Sequence, residues 1–380
     1  MKNILILSGS FGGGHNSAAN SLSQEIQSRG EYNVKIIDAL EYVSHDINKF
    51  SIEFYNLASR KFHGISKRMY YDTNSGYMLD LSKFAVKMLS PLIINLFDEF
   101  KPSHIICTHP FATVMATYAK KSGRISNDIP VSTIITDYEI HGFWFGFPDY
   151  LDHLFVATDQ MKNTIIENDI MDQNKVHVTG IPVKEVFKTS ISDIKKSELK
   201  KELNIPDNKK STIFFAGGAL GLSNSSLIDT LNILATSLSD YHFIVITGKN
   251  EELYNNYKKY IEKNNLNNVT LIKFANNVNE LMDISDFIVS KPGGLTTSEA
   301  IAKGVALLII NPLPGQEEAN TKYIVSNNAG VHITKENINE ITDKIKNDPN
   351  YIKNMKINSK KLGKPYASNK IVDIVLNDLI

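Results

Sequence analysis

Residues Val305 to Ile310 are apolar without a break, between Gly304 and Asn311. A run this short and this apolar fits a strand covered on both faces, as in a parallel sheet between helix layers. Its surroundings complete a strand–helix–strand unit. Ile288-Val289-Ser290 closes an earlier apolar strand. Lys291-Pro292-Gly293-Gly294 is a turn, because proline lacks a donor and fixes φ. Thr296, Thr297 or Ser298 is expected to cap a helix running to Lys303. Glu299 would fall in its first turn and Gly304 would end it. The loop from Pro312 to Asn320 then carries Gln316, Glu317, Glu318 and Asn320.

These residue types suit one kind of ligand. Glycines at a strand-to-helix turn let the backbone approach a ligand, and the helix start offers unpaired N–H groups to an anion. A carboxylate such as Glu299 accepts hydrogen bonds from ribose hydroxyls, and Gln316 and Glu317 offer polar atoms to a sugar. Together they fit a nucleotide carrying a sugar, bound at the C-terminal ends of parallel strands. Without the polar loop, the stretch would read as an ordinary capped turn.

The same grammar opens the chain. Lys2 to Leu7 is a strand, Ser8 to His15 (SGSFGGGH) a glycine loop, and Asn16 or Ser17 the cap of a helix to about Arg29. Two familiar nucleotide loops do not fit. In the ATPase pattern, His15 and Asn16 replace the required lysine and hydroxyl. In the dinucleotide pattern, Ser17 replaces the third glycine. An imidazole beside glycines suits a site where His15 faces a substrate hydroxyl, although a histidine near a helix start also serves structurally.

Further strands are expected at His104–Thr108, Val131–Thr136, Leu154–Thr158 and Val176–Gly180. Asp137 directly follows one strand end, and His141 and Trp144, the sole tryptophan, lie in the same loop. A carboxylate and a histidine there can act as general base and orienting group. His104, His109, His141 and His153 show no metal-ligand spacing. After a charged link from Lys188 to Lys210 the pattern restarts. The strand Ser211–Ala216 leads into a second glycine loop, Gly217-Gly218-Ala219-Leu220-Gly221. The expected fold is α/β, two Rossmann-like halves facing each other across a cleft.

Composition narrows the class. With 41 basic and 41 acidic side chains the formal net charge is zero, so general attraction to nucleic acid is not indicated. A lone cysteine, Cys107, gives no intrachain disulfide and no cysteine metal site. Ile4 to Leu7 is too short for a signal-peptide core, and no run approaches the roughly 18 apolar residues of a membrane span. Residues 49–90 differ from the rest: seven basic side chains stand against three acidic ones. Phe50, Phe54, Leu57, Ile65 and Met69 recur there at near-helical spacing, interleaved with Arg60, Lys61, Lys67 and Arg68. Such a segment fits an anionic membrane surface, or equally a pair of core helices with a solvated basic face.

Five motifs in order carry a family resemblance: GGGH, TDYxxHxxW, VTGIPV, GGALG and KPGGLTTSEA…PGQEEAN. The chain resembles the processive diacylglycerol glucosyltransferases of Gram-positive bacteria and the plant monogalactosyldiacylglycerol synthases. It is more distantly similar to the N-acetylglucosaminyltransferase that makes lipid II. The resemblance implies a two-domain GT-B fold. Residues 1–185 would bind acceptor and membrane, residues 186–364 would bind a UDP-hexose, and a C-terminal helix, 365–380, would pack back on the first domain. It implies Glu299 on the ribose, and Gly217, Gly218, Gly293, Gly294 and Thr296 at the diphosphate. Phe274 and Val278 would line the uracil, and Gln316 and Glu317 would hold the hexose. Gly14 and Asn320 would complete the donor site. His141, Trp144 and the basic residues Arg60, Lys61, Lys67 and Arg68 would serve acceptor and membrane. The implied reaction is inverting transfer of a hexose, with glucose favoured over galactose, to the 3-hydroxyl of diacylglycerol; the alternative is a transferase of the same fold acting on a lipid II-like or soluble acceptor. His15 and Asp137 are the two candidate bases. No metal and no cofactor are expected beyond the sugar-nucleotide substrate. The implied location is peripheral, on the cytoplasmic face of the cell membrane.

Overall fold

Successive residues of a strand point to opposite faces of its sheet, and β1 (Lys2–Ser8) is buried on both. Leu5 and Leu7 enter one core with Val114, Met115 and Trp144. Ile4 and Ile6 enter another with Leu22, Ile26, Ile371 and Val372. The second half repeats this sorting. Phe214, Val289 and Leu308 face one core, while Ile213, Ile288, Leu307 and Ile309 face the other. An unbroken apolar run is thus the signature of a strand between two helix layers.

The structure is a computed structural model that describes residues 1–9, 13–43, 93–217 and 225–379. The first sheet contains β1, β2 (Tyr32–Asp38), β3 (His104–Cys107), β4 (Val131–Ile134), β5 (His153–Val156) and β6 (Val176–Val178). Its order is β2-β1-β3-β4-β5-β6, with all pairs parallel. The second contains β7 (Lys210–Phe215), β8 (Tyr241–Ile246), β9 (Val269–Ile272), β10 (Phe287–Ser290), β11 (Ala306–Ile310) and β12 (Gly330–Ile333). Its order, β12-β11-β10-β7-β8-β9, is also parallel throughout and is the doubly wound Rossmann arrangement. The strand order reverses beside β1 in one sheet and beside β7 in the other. Loops leaving neighbouring strands diverge there, which opens a crevice for ligands.

The helix Ala367–Asn377 returns to the first sheet and buries Ile371, Val372 and Val375 against it. Asn369 donates to Glu25 at 2.7 Å, and Arg29 pairs with Asp373 at 3.2 Å. The start of the link is fastened to both halves. Lys188 pairs with Glu25 at 3.2 Å in the first half. In the second, the Asp283 carboxylate accepts the Ile191 N–H at 3.0 Å and pairs with buried Lys303 at 2.8 Å.

One helix starts earlier than its residues imply. It runs Gly294–Lys303, with Gly293 extended at φ −61°, ψ 142° and no side-chain cap. Thr297 and Ser298 lie inside it, and Ser298 donates to the Gly294 carbonyl at 2.7 Å. Glu299 therefore sits in the second turn. Gly304 does end the helix, in the left-handed region at φ 68°.

Candidate active site

The two reversal points face each other. The helix Gly14–Ser28 follows β1, and its first turn places His15 beside the end of β3. His15 Nδ1 lies 2.6 Å from the Thr108 carbonyl oxygen and 3.1 Å from Thr136 Oγ1. A carbonyl only accepts, so Nδ1 carries the proton and Nε2 is an acceptor. Burial holds the imidazole pKa down, to about 4, against the opposing pull of the Thr108 carbonyl and Asp38. The ring is neutral at physiological pH. It meets His109 edge-on with centroids 4.7 Å apart, and Trp144 lies at 6.0 Å. His109 caps the helix Pro110–Lys121, its Nδ1 accepting the Phe111 N–H at 3.2 Å.

Asp137 follows β4 and touches the other half. Asn320 Nδ2 donates to its Oδ1 at 3.2 Å. Burial pushes the Asp137 carboxyl up to about 6, the Asn320 bond opposes this, and Glu317 and Glu139 add to the rise. Tyr138 N donates to Asn320 Oδ1 at 2.9 Å, the Tyr138 hydroxyl bonds Ser298 at 2.8 Å, and the ring stacks on Tyr323 at 4.3 Å.

The side of the cleft facing His15 is built from helix starts. A Cβ on Gly293 would meet nothing within 4 Å, whereas one on Gly294 would lie 2.0 Å from the Thr136 carbonyl oxygen. The first glycine thus faces open space and the second carries the close approach of the halves. Gly14 takes part in the same contact, its Cβ position lying 3.8 Å from Leu295 Cβ. Gly217 is equally tight, with the Thr247 carbonyl 2.2 Å from its Cβ position. Glu299 and Thr296 are half-buried on the helix from Gly294. Burial raises the Glu299 carboxyl to about 7, against the pull of Lys184. Gln316 begins the helix Gln316–Ser326 after Gly315, whose φ of 92° and ψ of −116° only glycine adopts readily. Glu317 accepts the Leu313 N–H at 2.6 Å, and its carboxyl is raised by burial while Lys291 opposes. The Phe274 ring is 54% exposed with Lys249 Nζ 5.5 Å from its centroid, and Val278 starts the helix Val278–Asp283.

The profile of the monogalactosyldiacylglycerol (MGDG) synthase family matches residues 15–183, and that of the glycosyltransferase family 28 C-terminal domain matches 212–371. A processive diacylglycerol beta-glucosyltransferase of Staphylococcus epidermidis is 30% identical over 390 residues, spanning all of this chain and 93% of that one. The chain belongs to this diacylglycerol glycosyltransferase family. The Bacillus pumilus protein of the same description is 28% identical over 386 residues, covering all of this chain and 96% of its own. Among solved structures, Acinetobacter baumannii MurG shares the fold at 15% identity and a TM-score of 0.65, covering 99% of this chain and 100% of its own. The Staphylococcus aureus MnaA–UDP co-structure matches at 14% identity and the same TM-score, 0.65, covering 100% of this chain and 97% of its own. The fold of this family member is therefore GT-B.

Several expected residues sit differently from their sequence reading. Trp144 and His141 cannot form a membrane-facing surface in this arrangement. Trp144 is fully buried, His141 is 7% exposed, and the short helix Gly142–Phe145 carries Trp144 and Phe145 into the first core. An indole gains more from a closed core than a loop position implies. The amide of Asn320 is engaged inside the protein, with a further bond from Nδ2 to the Pro292 carbonyl at 2.9 Å. The four histidines do not converge. His104 and His153 stack at 6.5 Å near Asp378, His109 adjoins His15, and the His141 carbonyl accepts the Trp144 N–H at 3.0 Å. Among the described residues no group of three or more metal-ligating side chains is arranged for an ion. Gly218, Arg60, Lys61, Lys67 and Arg68 lie outside the described residues. The contacts of Thr108 and Tyr323, and those that Thr136, Tyr138 and Ser298 make with other elements, were not apparent from sequence, because no local pattern distinguishes a strand-end threonine that bonds a histidine.

Proposed function

We propose that this chain is an inverting hexosyltransferase that moves a hexose from a UDP-sugar to the 3-hydroxyl of diacylglycerol, with UDP-glucose as donor. Residues 1–185 form the acceptor half and 186–364 the donor half. The observation that carries the mechanism is the His15 Nδ1 bond to the Thr108 carbonyl, because it leaves Nε2 unprotonated. Nε2 takes the acceptor proton as the acceptor oxygen attacks the anomeric carbon. The bond from that carbon to UDP breaks, and the α-linked donor becomes a β-glycoside. Asp137 supplies negative charge near the developing positive charge. The helix start at Gly293 and nearby backbone N–H groups take the charge of the leaving diphosphate. Glu299 accepts the ribose hydroxyls, Gln316 and Glu317 meet the hexose, and Phe274 with Val278 lines the uracil.

No described helix is long and apolar enough to cross a membrane. We place the enzyme peripherally at the cytoplasmic leaflet, where each basic side chain near the surface contributes roughly 1 kcal/mol. The MGDG synthase match over 15–183 favours a second reading, galactose in place of glucose. Purified protein given radiolabelled UDP-glucose or UDP-galactose with diacylglycerol vesicles tests both. Labelled glycolipid from UDP-glucose supports the first reading, from UDP-galactose alone the second, and from neither rejects both.

A further inference from the structure

Asn320 was expected among the donor ligands, yet every strong bond of its fully buried amide goes to protein. Its Oδ1 accepts from Tyr138 N at 2.9 Å, and its two Nδ2 protons go to Asp137 Oδ1 at 3.2 Å and the Pro292 carbonyl at 2.9 Å. The partners dictate the orientation, since flipping the amide would set oxygen against two acceptors and NH₂ against an N–H. Two of these partners belong to the acceptor half and one to the glycine turn of the donor half. Tyr138 adds a bond to Ser298 and a stack on Tyr323, both in the donor half.

We propose that Asn320 is a positioning residue that clasps the Asp137 turn to the donor half, so that Asp137 reaches its working orientation only when the cleft is closed. The proposal rests on the transferase reading given above. A side chain with three bonds of fixed polarity, across an interface already tight enough to need glycine at 294, acts as a latch with one permitted geometry. Cleft closure and orientation of the charged group then become the same event.

The test is Asn320→Asp, which keeps the shape but turns an oxygen toward Asp137 Oδ1 and the Pro292 carbonyl. Tyr138→Phe is the milder companion, removing only the hydroxyl bond to Ser298. Cys107 is buried. Cysteines placed at the exposed positions Asn168 and Asn264 can therefore carry a fluorophore pair reporting the separation of the halves. With UDP present, Asn320→Asp should broaden and lengthen the distance distribution, and Tyr138→Phe should do so less. In turnover assays Asn320→Asp should lower kcat at least tenfold while UDP affinity stays within about threefold. A parental distance distribution in both variants overturns the latch. Lost UDP affinity with unchanged kcat also overturns it, by making Asn320 a donor ligand. The distance measurement needs no turnover, so it judges the latch even if neither sugar is transferred.

Discussion

The Nδ1 of His15 lies 2.6 Å from the carbonyl oxygen of Thr108, and this one bond decides which nitrogen can accept a proton. Replacing His15 with alanine should lower kcat by about 10²–10⁴-fold while UDP affinity changes little. Full activity would remove His15 from the base role. Because burial holds its pKa at about 4, its ring should show no NMR titration step between pH 5 and 8. A step near the ordinary histidine value would contradict the buried, carbonyl-bound geometry.

Asp137 should cost stability where it is ionised. Its folded pKa is raised to about 6, so the native state holds a proton that the unfolded state has lost between 3.8 and 6. Its contribution to stability is present below 3.8 and falls as pH rises through 6. Asp137→Asn should therefore stabilise the fold at pH 8, by about 1–2 kcal/mol for a half-buried group, and not at pH 4. Melting curves at the two pH values check this. A gain that persists at pH 4 would point to packing.

Two adjacent glycines should respond oppositely to alanine. At 294 the added Cβ meets the Thr136 carbonyl at 2.0 Å, so the halves must part or strain. Gly294→Ala should cost about 1–3 kcal/mol in chemical denaturation and reduce turnover. At 293 nothing lies within 4 Å and the backbone suits any residue. Gly293→Ala should leave stability within about 0.5 kcal/mol or raise it slightly, and any loss should appear in UDP binding.

Lys303 and Asp283 form a buried pair at 2.8 Å, with side chains 2% and 3% exposed. Lys303→Met leaves a buried carboxylate without its cation and should cost about 3–5 kcal/mol. The double change Lys303→Met with Asp283→Leu should recover part of that loss, though not the bond to Ile191. Equal melting points for the single variant and the parent would place the pair in solvent.

Much of the fold was legible in local pattern. The apolar runs at 4–7, 288–289 and 305–310 became central strands because each has no polar face to show to water. The stop at Gly304 was legible because a left-handed residue after a helix strongly favours glycine. The helix start was not, since the helix begins after Gly293 with no side-chain cap, its first backbone bond running from Thr297 N–H to the Gly293 carbonyl at 2.9 Å. The enclosure of Trp144, which the sequence places only in the loop after a strand, was not legible for a similar reason: only the core around it shows that the indole is buried.

The sequence by itself determined the two-layered strands, their order along the chain and the glycine, histidine and carboxylate inventory of the cleft. These follow from periodicity and residue chemistry, which act over a few positions. Tertiary structure decided which of those groups meet. Asn320 and Asp137 are 183 residues apart, and their contact exists only because two separately wound sheets dock with their reversal points opposed. Docking depends on surfaces that no single segment encodes. For that reason the amide of Asn320, a residue expected at the donor site, bonds the opposite half of the protein.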